Sequence, residues 1–192
     1  MNQRLALVLA LAAGAASPTW AQGAVTLDPR ITQLLGAVSS DRIKATVDKL
    51  TSFRTRNSLS STTSTTAGIG AARQWILNEM KGYSPRLQVS LDGHRIPPGG
   101  RIPREVELVN VMAVLPGKSP RRVYVSGHYD TVVLRPAAED TAAARTGDNP
   151  APGANDDGSG TALTMELARV FAQSGLEFDA TLVFIVDLLD VK

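Results

Sequence analysis

The 192-residue chain reads as an α/β domain on three observations. Residues 121–186 run strand, long loop, amphipathic helix, strand, which is a βαβ unit with parallel strands and a right-handed crossover. Two amphipathic helical segments precede it, and strand patterns lie between them and the unit. The composition, 43% hydrophobic and 20% charged, is that of a globular domain rather than a disordered chain.

Each element has its own signal. Residues 1–21 read as a secretory signal peptide: Arg4 supplies the positive end, Leu5 to Ala16 are Leu, Ala, Val and one Gly, and Thr19 and Ala21 suit cleavage after Ala21. The apolar run is short of the ~20 residues that cross a bilayer; a retained N-terminal anchor helix is the alternative. The expectation is an exported protein, periplasmic or extracellular, with no stable membrane association after cleavage. Residues 22–38 are expected to form an N-terminal arm. Ser39, Ser40 and Asp41 offer caps to a first helix with Ile43, Val47, Leu50 and Phe53 on its apolar face. Residues 58–66, nine Ser, Leu and Thr residues, form a polar low-complexity loop that is expected to add nothing to a core. A second helix runs from about Gly68 to Lys81, with Ile69, Ala72, Ile76 and Met80 inward and Gly82 as its stop. Leu87, Val89 and Leu91 alternate with polar residues as in an edge strand, and the prolines and glycines of 93–104 predict a turn. Val109 to Leu115 and Val123 to Ser126 are continuously apolar, as central strands are. Residues 130–155 show no period, and so long a connection within a domain is usually functional. A helix follows from near Thr161, with Leu163, Leu167, Val170, Phe171 and Ser174 inward, and Ala180 to Val186 is a buried strand.

Several classes of function fall away. The sequence has no cysteine, which excludes a disulfide scaffold, a thiolate zinc site and a cysteine nucleophile. Lys and Arg total 20 against 18 Asp and Glu, a balance that points to no nucleic-acid partner. Only two histidines occur, His94 and His128. Residues 148–192 hold 8 of the 18 acidic groups and 2 of the 20 basic ones, so the acidic quarter suits a cation or a solvated face.

The chemistry gathers where a strand ends. Gly127-His128-Tyr129-Asp130-Thr131 leaves the strand Val123–Ser126, and in parallel sheets ligands collect beyond the carboxyl ends of strands. His128 and Asp130, two apart in extended chain, point to one side, where a carboxylate can fix the imidazole tautomer and leave the other nitrogen for a metal. By itself this pair is also the pattern of a hydrogen-bonded structural histidine. The second element is 152–160, Pro-Gly-Ala-Asn-Asp-Asp-Gly-Ser-Gly. It lacks the glycine spacing of a dinucleotide fingerprint, the alternating acids of an EF-hand and the G-x-S-x-G of a nucleophile elbow. A turn in which Asp157 or Ser159 caps the helix is the structural reading, yet two adjacent carboxylates in one tight turn are costly without a cation. One imidazole and aspartates near strand ends suit zinc or a similar ion, and a carboxylate such as Asp156 can bridge two ions ~3.5–4 Å apart.

These two motifs together resemble the dinuclear zinc exopeptidases of metallopeptidase family twenty-eight, which include secreted bacterial leucyl aminopeptidases. The likeness continues upstream through Phe53-Arg54-Thr55-Arg56-Asn57, Gly68 to Arg73 and Val109-Asn110-Val111. The resemblance implies a three-layer α/β/α fold with a mixed, mostly parallel sheet, two zinc ions, and hydrolysis of N-terminal peptide bonds of peptides or proteins by metal-activated water. It implies that His128 binds one zinc, that Asp156 bridges both, that Asp130 orients His128, and that Asp157 shapes the turn. A cis peptide between Asp156 and Asp157 is also implied. Where the family has two glutamates, a general base and a zinc ligand, alignment without gaps sets Asp190 and Val191. Asp190 is then the candidate at the base position, and valine cannot ligate. The family's later aspartate and histidine ligands have no counterpart, and His94 matches none, which makes it a surface turn histidine. The expectation is that residues 39–192 are the front part of such a domain, with negligible peptidase activity in this chain. The alternative is a non-catalytic remnant, at most a weak metal or peptide binder.

Overall fold

A computed structural model describes residues 27–100, 102–133 and 146–188. The signal-peptide segment 1–21 and Asp190 lie outside the described residues. Two helices come first, α1 over Pro29–Gly36 and α2 over Ser40–Ser52. The segment expected as an arm therefore contains a helix: the Asp28 side chain accepts from the Arg30 amide at its start, and it buries no residue. Its apolar residues Ile31, Leu34 and Leu35, at helical spacing, stay exposed or half-buried. Helix α2 begins as expected, with the Ser39 hydroxyl accepting from the Arg42 amide, and it buries Leu50. Helix α3, Gly68–Lys81, has the expected bounds and buries Ile69, Ala72, Ile76 and Met80.

Strand β1, Gln88–Ile96, pairs antiparallel with β2, Val106–Leu115. The expected turn at 93–104 thus starts later, and His94 stands on a strand rather than in a turn, its Nε2 2.9 Å from Asp92 Oδ2. Here the ladder to Leu108 outweighs the local turn signal of Gly93. Strand β3, Arg122–His128, a short turn at Ala154–Gly158, helix α4, Ser159–Gln173, and strand β4, Thr181–Asp187, complete the unit. The sheet order is β1-β2-β4-β3. It is mixed, and among the described strands its parallel part is the β3–β4 pair, while β2 runs antiparallel to both neighbours. Strand β3, expected to be central, lies at the edge of the described sheet, where Val123 and Tyr124 are exposed.

The core sits on one face of this sheet. Val111, Ala113 and Leu115 of β2 and Phe184 and Val186 of β4 pack under Leu50, Ile69, Ile76, Met80, Met165, Ala168 and Ala172 of the helices. On the opposite face Met112, Val114 and Ile185 are half-buried and Val183 is buried. The described helices thus supply one of the two helical layers.

Helix α4 buries Val170 and packs Leu167 and Phe171 against the core as expected, but Leu163 turns outward. Leu163 is 48% exposed, whereas Thr161, Ala162, Thr164, Met165, Ala168, Val170 and Ala172 are buried. Small residues win because the helix start meets the strand at backbone distance. A Cβ added to Gly127 would lie 2.6 Å from the Gly160 carbonyl carbon. The polar loop 58–66 also does more than expected: the buried Ser60 hydroxyl accepts from the Ile69 amide at 2.9 Å and so caps α3.

Candidate metal centre

The crossover places the end of β3 beside the turn that opens α4. His128 is the last residue of β3, and its amide donates to Asp157 Oδ2 at 3.1 Å. Its carbonyl accepts from the Thr161 hydroxyl at 2.8 Å. Asp157 Oδ1 takes the Gly160 amide at 2.9 Å, so one carboxylate satisfies a donor on the strand and a donor at the helix start. Each of its oxygens thus accepts a backbone amide, which ties the turn to the strand end. Ser159 donates its hydroxyl back to the Asn155 carbonyl at 3.0 Å. The peptide bond between Asp156 and Asp157 is cis, and Gly153, with φ of 46°, takes the left-handed turn before it.

The side chains that bear on metal chemistry meet here. His128 Nδ1 lies 3.2 Å from Asp130 Oδ1, and Asp130 is fully buried. With Nδ1 donating to that carboxylate, Nε2 carries the lone pair. Nε2 lies 3.3 Å from Asp156 Oδ1, and the Asp156 side chain is 84% exposed. Two electron-pair donors facing each other, one of them anionic and open to solvent, are the start of a divalent cation site. Their chemistry fits zinc. No group of three or more His, Asp or Glu side chains assembles around an ion position among the described residues.

Two site residues carried no assigned role in the sequence reading. Asp187 ends β4 in register with His128, and its carbonyl accepts from the Tyr129 amide at 2.9 Å. Its Oδ1 is buried without a hydrogen-bond partner among the described residues. Burial pushes its carboxyl above the ordinary aspartate value, with His128 pulling the other way. Its adjacency to His128 depends on strand register, which the sequence alone does not specify. Arg56, fully buried, is the second. Burial lowers its guanidinium to about 10, opposed by Asp130 and Asp157, so it is a cation at neutral pH. Its place in a motif that the resemblance already singled out was the available signal. His94 lies on β1, away from the carboxyl ends of β3 and β4 that form the site.

The fold agrees with what the chain is similar to. The model of the peptidase family M28 matches residues 110–187. A probable zinc metalloprotease of Pyricularia oryzae is 47% identical over 154 residues, covering 76% of this chain and 28% of that protein. A leucine aminopeptidase 1 of Grosmannia clavigera is 31% identical over 158 residues, covering 78% of this chain and 32% of that protein. Among solved structures, the LapA aminopeptidase of Legionella pneumophila superposes with a TM-score of 0.58 at 21% identity, over 86% of this chain and 39% of that one. A glutaminyl cyclase of Fimbriiglobus ruber does so with a TM-score of 0.53 at 24% identity, over 78% and 45%. At those identities the two structures speak for the fold alone. The chain spans about a third of the length of the curated relatives it matches.

Proposed function

The chain belongs to peptidase family M28, and we propose that it carries part of the metal centre of a zinc-dependent exopeptidase of the aminopeptidase kind, which acts on the N-termini of peptides or proteins, with negligible hydrolysis by this chain itself. One observation carries the reading: His128 Nε2 faces Asp156 Oδ1 at 3.3 Å while Asp130 holds the other ring nitrogen. His128 would hold one zinc and Asp156 would bridge two. Zinc, when bound, supplies activated water and polarises a carbonyl. Asp130 keeps the imidazole in the ligating tautomer, and Asp157 holds the strand end and the helix start at a fixed separation. Export after removal of residues 1–21 is part of the same proposal.

A second reading, in which this chain binds metal or peptide without catalysis, is favoured by Asp190 and Val191 at the positions of the family's two glutamates. An aspartate there is one methylene short, and a misplacement of ~1 Å can cost ~100-fold. We therefore expect weak zinc binding and negligible hydrolysis. Calorimetric titration of the purified chain with zinc, alongside Leu-p-nitroanilide turnover, tests both parts. Binding lost in His128→Ala, with no p-nitroaniline released above the blank, is the expected result. Zinc-dependent turnover would sink the second reading. Absence of any His128-dependent zinc binding would sink the metal assignment.

A further inference from the structure

Arg56 lies between the two motifs, and its contacts fall on both. Its Nε donates to the Tyr129 carbonyl at 2.5 Å, the residue after His128. Nη1 donates to the Pro152 carbonyl at 2.7 Å and to the Leu50 carbonyl at 3.0 Å. Nη2 donates to the Gly153 carbonyl at 2.9 Å. That carbonyl also accepts the Gly158 amide at 3.0 Å, so the guanidinium touches the hydrogen bond that closes the turn bearing Asp156. The backbone of Arg56 extends the same link. Its amide donates to Thr131 Oγ1 at 2.9 Å, its carbonyl accepts the Thr131 amide at 3.2 Å, and the neighbouring Arg54 carbonyl accepts the Ala151 amide at 2.8 Å.

A buried cation needs anions or carbonyl dipoles to hold it, and here nearly all of that compensation comes from the segments that carry the metal donors. Four carbonyls at fixed positions around one planar fork also define a geometry that a lysine ammonium cannot reproduce. A glycine at 153 is required by the same closeness, because a Cβ there would lie 2.2 Å from Thr131 Cγ2 and 3.2 Å from Arg56 Nη2.

We propose that Arg56 is a positioning residue of the metal centre, fixing the separation of His128 and Asp156 by clamping the backbone of both segments. Its bearing on zinc rests on the function proposed above. The clamp itself is a property of the metal-free chain.

The test compares the wild-type chain with Arg56→Lys by amide hydrogen exchange and by zinc titration. Ile76→Ala, in the core of α3, serves as a control of general destabilisation. Arg56→Lys is expected to speed exchange at Thr131, Ala151 and Gly158 together by about tenfold or more, leaving β1 and β2 unchanged. Zinc affinity should fall by about tenfold, the usual effect of losing a group that orients a ligand. Ile76→Ala should leave zinc affinity where it was. Unchanged exchange at those amides, loosening of one segment only, or equal zinc loss in Ile76→Ala overturns the proposal. If Arg56→Lys does not fold, native-state exchange of the wild type in low denaturant decides. The three amides must open with one common dependence, and independent opening overturns the clamp. If the wild type binds no zinc, the function proposed above fails and the exchange data alone judge Arg56.

Discussion

Buried Glu166 is compensated by groups both near to it and distant in the chain. It is 4% exposed on α4, and its carboxylate takes Arg169 Nη2 at 2.6 Å, Arg169 Nε at 2.9 Å and the Ser39 amide at 2.8 Å. Burial pushes the carboxyl up, but the Arg169 hydrogen bonds, the Ser39 amide and the charges of Arg169 and Arg42 outweigh it and hold it below its ordinary value. The folded value is thus depressed relative to the unfolded one. The stability it confers is fully present above the unfolded value of about 4.3 and is lost as pH falls through the folded value. Glu166→Gln should cost roughly 2–3 kcal/mol at pH 7, because Arg169 is left half-paired in a buried place. In urea unfolding the gap between wild type and variant should narrow between pH 5 and about pH 3; a gap independent of pH would contradict the assignment. Nothing in the local sequence announces Glu166, since the groups that make it matter lie up to 127 residues away. His128, Asp130, Asp156 and Asp157 were legible because their relation is local, two residues apart in a strand or adjacent in a turn.

At the scale of elements, helix α3 and the strands β2 and β4 follow the sequence closely, since each has a strong period or a dense apolar run. The start of α4 does not, for Leu163 faces out while Val170, Leu167 and Phe171 lie against the core. Hydrophobic size predicts that Leu163 turns inward, but the sheet approaches too closely for large side chains at the helix start. Gly127 and Gly160 set that approach. Gly127→Ala should force strand and helix apart and cost about 3 kcal/mol, as overpacking a tight contact does. Thermal or urea unfolding measures it, and a loss under about 0.5 kcal/mol, the range of a neutral surface change, would show that the contact is looser than described. Helix α1 carries an apolar stripe, Ile31, Leu34 and Leu35, at helical spacing, but the helix is only 8 residues long and buries none of them.

Across the whole molecule, the helices cover one face of the described sheet and β3 has β4 as its one described neighbour. Tyr124 is 57% exposed and Val123 49% exposed on that edge, which is the pattern through which strands recruit other chains. Tyr124→Lys should lower self-association in light scattering while shifting stability by less than about 0.5 kcal/mol; unchanged association would place the sticky surface elsewhere. No helix among the described residues is long and apolar enough to cross a membrane. By itself the sequence determined the α/β class, the βαβ unit and most helix and strand bounds, because these follow from periodicity and from short-range spacing. The tertiary structure alone decided that Leu163 of α4 faces out, that β3 stands at the described edge, that Asp187 lies beside His128, and that Arg56 joins two segments about 75 and 96 residues away in the chain. Those features depend on register and on backbone approach between distant segments, and neither leaves a pattern in a linear sequence.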